Sequence, residues 1–269
     1  MTLNIDINEI IDTQNSTWES QRIDKSHATA FLDNLFQIRD AASKATQNNE
    51  SMQIWLCSLY SYAMGQFELY IRRQFSEVLN TSSFFNSYDS TSIAERLRKA
   101  GCVPTIESIL VDSANEWEPG GLISEAMPGW HDPEKVNQYF RVLFPDFCLY
   151  SNEQSERIRL MWQVRHSIVH TGGLITRFDA RKHRLLHRLG DKKLHLSETS
   201  IDSLAHWLNE IVVDSTGRLK TKVMEHYITS GEEETDDAII EKAAGCRSPF
   251  KRGGAQQDNA LDASGSGDF

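Results

Sequence analysis

The segment from about Ser51 to Leu79 constrains the fold more than any other part of the chain. Cys57, Tyr60, Met64, Phe67, Ile71 and Val78 recur at helical spacing, and Leu56, Leu59 and Tyr70 widen the stripe. An apolar face so broad needs neighbours on several sides, which predicts a helix at the centre of a bundle. A preceding helix is expected from about Thr17 to Ala45, with Ala28, Phe31, Leu35, Ile38 and Ala42 on its buried face and Asn48-Asn49 breaking it. Both stripes are read as core packing rather than cofactor contacts.

Residues 80–133 are less regular and are read as an insertion between bundle helices. Ser92-x-x-Glu95 has the form of a capping box opening a short helix that stops at Gly101. Another short helix is expected from Pro104 through Ile106, Ile109, Leu110 and Trp117. EPGG and MPGWHDP are turn signals. Trp117 and Trp130 are assigned to a satellite core rather than to stacking on bases. Asp132-Pro133 predicts an N-cap followed by proline at the first helical position, leading through Val136, Phe140 and Leu143.

Asn152 is taken as the cap of the next helix, which carries Ile158, Met161, Trp162 and Val164 and stops at Thr171-Gly172-Gly173. Residues 174–196 predict a short hairpin turning at Gly190-Asp191. Ser200 is read as the cap of a last long helix bearing Ile201, Leu204, Leu208, Ile211, Leu219 and Val223. The class is therefore mainly α, an up-and-down helical bundle in one domain over 1–228. Residues 229–269, acidic and then rich in Gly and Ser, are expected to be disordered.

The chain of 269 residues carries a net charge of −10, and 39% of it is hydrophobic. No apolar run reaches the ~18 residues of a membrane span, and MTLNIDINEIIDTQ lacks the basic start of a secretory signal. Cys57, Cys102, Cys148 and Cys246 are scattered, without a C-x-x-C pair. A soluble, cytoplasmic protein in a reducing compartment is expected. The charge is unevenly spread: Arg157 to Lys193 holds ten basic residues against Asp179 and Asp191, a local +8 that leaves −18 for the rest. Such a segment marks a site for an anion, or else a solvated basic hairpin pairing with the acidic remainder. If it binds RNA, Arg157, Arg177, Arg181, Lys182 and Arg184 are the candidate phosphate contacts.

Within that segment lies Arg165-His166-Ser167-Ile168-Val169-His170-Thr171-Gly172-Gly173. Arginine presents a permanently charged fork that matches phosphate oxygens. Histidine exchanges protons near neutrality, and the macrodipole at a helix C-terminus favours a cation. RNA brings its own nucleophile in the 2′-hydroxyl, so the pair can cleave it without a metal. On a straight helix Arg165 and His170 diverge by about 140°, whereas His166 and His170 share a face. Cooperation of Arg165 with His170 thus requires the helix to bend or end there, or a second copy to supply one of them. No P-loop is present, and His166/His170 and His183/His187, though spaced like helical zinc ligands, lack the companion residues of a zinc site.

A helix ending in RHSIVHTGG resembles the signature of the HEPN superfamily (higher eukaryotes and prokaryotes nucleotide-binding), and in particular its RiboL-PSP-type branch. The helix MQIWLCSLYSYAMGQFELYIRRQF, with Glu68 among aromatics, looks like that family's early helix. The similarity covers roughly 51–79 and 134–225. It implies a bundle that forms a homodimer, with the motifs of two chains facing one another in a composite, metal-independent endoribonuclease site that uses no cofactor. Arg165 would hold the phosphate, His170 would act as general acid/base, and His166 would orient the pair. The implied products are a 2′,3′-cyclic phosphate and a 5′-hydroxyl. The implied roles are toxin or antiviral effector, under an antitoxin or defence-complex partner. The sequence departs from the commonest pattern by placing His166 after the arginine. Gly172 also stands where nucleotidyltransferase-paired toxins carry tyrosine. The alternative is a non-catalytic bundle that binds RNA or a protein partner.

Overall fold

A computed structural model describes residues 26–44, 50–103, 119–229 and 233–245 of the chain. It is mainly helical. Helix α1 is His27–Ser43 and α2 is Glu50–Thr81, followed by a 3-10 turn at Ser82–Phe84. Then come α3 (Ser90–Lys99), α4 (Pro119–Ala126), α5 (Pro133–Leu143) and α6 (Asn152–Thr171). A small lobe holds β1 (Leu174–Ile175), α7 (Arg177–Ala180), a 3-10 turn at Arg184–Leu189 and β2 (Lys192–Lys193). Helices α8 (Glu198–His226) and α9 (Glu233–Ala244) complete the described chain.

The broad stripe of α2 does what its width demands. Ala63, Met64, Phe67, Ile71, Phe75 and Val78 are all essentially sealed from solvent, and α1, α4, α5, α6, α8 and α9 all pack on this helix. The α1 stripe is buried as its spacing predicts. That helix starts at His27, however, because the Ser26 hydroxyl caps it by accepting from the Thr29 amide at 3.2 Å. The expected helical turns before Ser26, the Asn48-Asn49 break, the helix from Pro104 with Trp117, Cys246 and the chain beyond Gly245 all lie outside the described residues.

The described residues of 80–133 contribute to the main core, and Trp130 belongs to it rather than to a satellite. Ile93, Leu97, Cys102, Met127 and Trp130 join the same cluster as the α2 stripe. Trp130 is 1% exposed, and its indole N–H donates to the Ser124 carbonyl at 3.0 Å, so it has no face left for a base. EPGG is not a turn: Pro119 opens α4, using the fixed φ and missing N–H that suit a first helical position. Gly120, the first of the two glycines, is required by close packing. A Cβ there would stand 2.2 Å from the Ser76 carbonyl oxygen of α2, and the Gly120 amide donates to Asn80 Oδ1 at 2.7 Å.

Three caps fall earlier than the sequence reading places them. Asp89, not Ser92, caps α3 by accepting from the Thr91 and Ser92 amides. Ser151 caps α6 in a reciprocal box with Gln154, and Ser197 caps α8 in one with Ser200. Asp132-Pro133 opens α5 as predicted. The hairpin reading is half right. Leu174 pairs with Lys193 and Ile175 with Lys192, antiparallel, but α7 and a 3-10 turn fill the space between, and Gly190-Asp191 leads into β2 rather than forming a hairpin turn. The folded chain also runs past 229. The acidic run opens α9, where Ile240, Ala243 and Ala244 are buried against α2 and α8. No helix among the described residues is long and apolar enough to cross a membrane.

Gly120→Ala is expected to destabilise the fold by about 1–3 kcal/mol, because a backbone carbonyl cannot move aside as a side chain does. Urea unfolding should show a lower midpoint at unchanged slope; an unchanged midpoint would mean that α4 does not rest on α2 as described.

Candidate functional site

Helix α6 is continuous through Thr171, so Arg165 and His170 lie about five residues apart on one regular helix, some 140° apart around its axis. The helix does not bend to bring them together within one chain. His166 and His170 do meet, as their spacing predicts: their ring centroids are 4.5 Å apart. Helix α6 ends at Gly172 in the left-handed region (φ 61°), where the Gly172 and Gly173 amides and the Thr171 hydroxyl all converge on the Ser167 carbonyl.

Arg165 is half-buried, with its guanidinium carbon 5.9 Å from the Trp162 ring centroid, a cation–π arrangement built by i,i+3 spacing. Its Nε is buried without a hydrogen-bond partner. His170 is exposed, and the His166 side chain is 44% exposed.

Asp179 is the residue that sequence reasoning missed. It is buried, and its Oδ1 lies 3.8 Å from His166 Nε2. The Lys182 ammonium donates to Oδ1 and the Thr176 hydroxyl to Oδ2, each at 2.8 Å. The Asp179 amide donates back to the Thr176 hydroxyl at 3.0 Å. Thr176-x-x-Asp179 has the form of a capping box, a signal readable in the sequence. Burial alone would raise the Asp179 pKa, but the bonds from Lys182 and Thr176 and the Lys182 and His166 charges outweigh it and hold the carboxyl below its ordinary value. Burial, then the Lys182 charge, keep His166 below the usual histidine value; Asp179 opposes them, and His170 and Arg165 add to them.

The small lobe rests on α6 through its own core of Ile175, Ala180 and Leu186, packed against Leu160, Leu189 and Leu194. The basic residues of the 157–193 segment lie partly on α6 and partly on this lobe. Arg157 is ion-paired to Glu153 and Glu210, eight residues or about 12 Å along α6 from Arg165, and so stands away from the motif. Arg159 bridges Glu134 and Glu156, Arg177 pairs with Asp191, and Lys182 with Asp179. The solvated-pairing reading therefore describes these four. Arg181 and Arg184 are exposed. Arg177 and Arg181 line a 350 Å³ recess with His187 and Arg188, a cation-rich surface suited to phosphate oxygens. His183 caps the second 3-10 turn, so His183 and His187 do not lie one above the other on an α-helix.

On another side of α6, Ile168, Val169 and Gly172 line a cleft of about 930 Å³ with Ile54, Cys57 and Leu194. Ile54 and Val169 are 69% and 48% exposed. No family model, curated protein or solved structure matches the chain.

Asp179→Ala is expected to cost about 1–3 kcal/mol at neutral pH by removing the acceptor of two hydrogen bonds in a buried setting. Because the folded carboxyl sits below its ordinary value, its contribution is present above about pH 4 and lost as pH falls through the folded value. His166 acts in a higher window: its folded value lies below the ordinary one near 6.5, so stability falls as pH drops through that range, where the unfolded chain takes up the proton first. Melting curves between neutral and acid pH should show the mutant's deficit shrinking on acidification; a constant deficit would contradict the assigned charge state of Asp179.

Proposed function

We propose that the chain is a metal-independent endoribonuclease of HEPN type, acting at the C-terminal end of α6 in a homodimer. The observation that carries the reading is the grouping of Arg165, His166 and His170 on the last turns of one helix, beside a lobe of basic residues. The straightness of α6 argues for two copies: Arg165 and His170 of one chain point apart, so a phosphate gripped by the arginine of one chain needs the histidine of another. The open apolar cleft beside Val169 offers surface for such a partner.

In the proposed reaction the 2′-hydroxyl attacks the adjacent phosphorus. Its proton passes to an imidazole, the 2′-oxygen–phosphorus bond forms and the bond to the 5′-oxygen breaks, and a protonated imidazole supplies that oxygen with a proton. Arg165 neutralises charge on the non-bridging oxygens. His170, exposed, exchanges the protons. His166, which its surroundings favour in the neutral form, orients His170 and can receive a proton from it. A role as toxin or antiviral effector rests on the family resemblance.

The second reading is a non-catalytic bundle that binds a protein in the apolar cleft. It is favoured by the carboxylate pairing of Arg157, Arg159, Arg177 and Lys182, which leaves less charge for RNA. Salt separates the two, because phosphate contacts weaken steeply as salt rises.

Cleavage of tRNA and single-stranded RNA in EDTA tests the enzyme reading. His170→Ala is expected to lose ~10²–10⁴-fold in rate while remaining folded. Arg165→Lys should also fail, since an ammonium lacks the fork. Mixing Arg165→Ala with His170→Ala chains should restore some activity if each site draws on both copies. Equal cutting by wild type and His170→Ala would remove the motif from the chemistry.

A further inference from the structure

A recess of about 470 Å³ opens beside His166, walled by α5, α6 and the small lobe. Its size is that of a small-molecule site. Two donors of its lining residues are buried and unpartnered among the described residues, the Trp162 indole N–H and the Gln163 amide; a third, His183 Nε2, faces Glu156. Trp162 and His183 are 8% and 5% exposed. His183 Nδ1 accepts from the Leu185 amide at 3.3 Å, so in the neutral ring Nε2 carries the hydrogen; Glu156 Oε2 lies 3.5 Å from it. A buried donor without an acceptor costs free energy, and two side by side on α6 ask what satisfies them.

The charges around the recess say what kind of ligand fits. Its cations are already engaged: Arg159 with Glu134 and Glu156, and Lys182 with Asp179. Asp132 and Glu134 add carboxylates to the rim. A phosphate would find little surplus positive charge here, unlike in the recess of Arg177, Arg181 and Arg188. A neutral ligand with acceptors on its edge suits the walls better. Aromatic surface is also present: the exposed His131 ring stands edge-on to Trp162 with centroids 6.0 Å apart.

We propose that this recess takes a nucleobase, with its ring on the exposed His131 and its acceptor edge toward the Gln163 amide and the Trp162 indole N–H. The inference rests on the reading of the α6 end as an RNA site, and gives that site a preference for one base next to the bond it cuts. His166, which lines the recess and touches His170, connects the base to the reacting phosphate.

Titration calorimetry of the full chain with the four ribonucleoside 5′-monophosphates reads the base without needing turnover. One base is expected to bind at least about fivefold tighter than the others, the factor that ~1 kcal/mol of stacking or hydrogen bonding supplies. His131→Ala, at an exposed position, and Gln163→Ala should each lose about fivefold or more of that affinity. Trp162→Phe keeps a ring in the core but removes its donor, and should lower affinity with the melting temperature checked alongside. Equal affinity for all four, no binding, or affinity untouched by His131→Ala and Gln163→Ala overturns the base pocket. Binding with the expected preference but no RNA cleavage sustains the pocket and removes the enzyme reading instead. Cleavage without preference does the reverse.

Discussion

Gln74 sits fully buried in the middle of α2, where its amide nitrogen is bonded to the helices around it while its Oε1 has no hydrogen-bond partner among the described residues. It donates to the Ala244 carbonyl at the end of α9 at 3.1 Å and approaches the Thr216 hydroxyl of α8 at 3.5 Å. One turn earlier Tyr70 shares a 2.8 Å hydrogen bond with the same threonine. Hydrophobic burial along α2 is non-directional and would tolerate sliding. These polar contacts are directional, and they fix where α8 and α9 stand along the central helix. The motif helix α6 then lies against a helix whose other neighbours are already in register, with the Tyr60 hydroxyl donating to the Met161 carbonyl at 3.3 Å.

The regularity of α6 has a cost and a use. A straight helix cannot turn Arg165 and His170 onto one ligand. It does hold His166 over His170 and Arg165 over Trp162 with the fixed geometry of i,i+4 and i,i+3 neighbours. The charge states are then set from outside the helix, by Lys182 and Asp179 of the small lobe. Positioning and electrostatic tuning thus come from different elements. The lobe reaches the motif because its small apolar core grips Leu160, farther back on the same helix.

Apolar periodicity made most of the fold legible. The stripes of α1, α2, α5 and α8 name the residues that are buried, since burial and helical spacing are one constraint seen twice. The caps were less legible because a box such as Ser197/Ser200 has a capping residue at both ends, and only geometry says which one leads. The hairpin failed on length: two-residue strands leave no alternation to read, and α7 lies inside the span. Of the motif, the His166–His170 contact and the divergence of Arg165 from His170 were legible, because both follow from helix spacing. The carboxylate partners of the basic residues were only partly so. Arg157–Glu153 and Lys182–Asp179 follow helix spacing, but Arg159–Glu134 and Arg157–Glu210 join residues far apart in the chain. Whether α9 folds onto the bundle was hidden for the same reason, as its composition is that of a solvated tail while its anchors are on α2.

The meeting of α1 with the end of α9 bears on how the chain is made. The Ala28 amide donates to the Gly245 carbonyl at 3.3 Å, His27 contacts Glu77, and Lys242 reaches the same glutamate. Helix α1 otherwise rests on α2 and α8. On the ribosome α1 and α2 therefore emerge long before α8 and α9, and the parts of their apolar faces that those two helices cover stay open until they have been translated. Contacts of such separation form slowly, and exposed faces invite misassembly meanwhile. Nascent chains cut short before α8 would present the side of α2 that α8 and α9 cover, as natural clients for a holding chaperone.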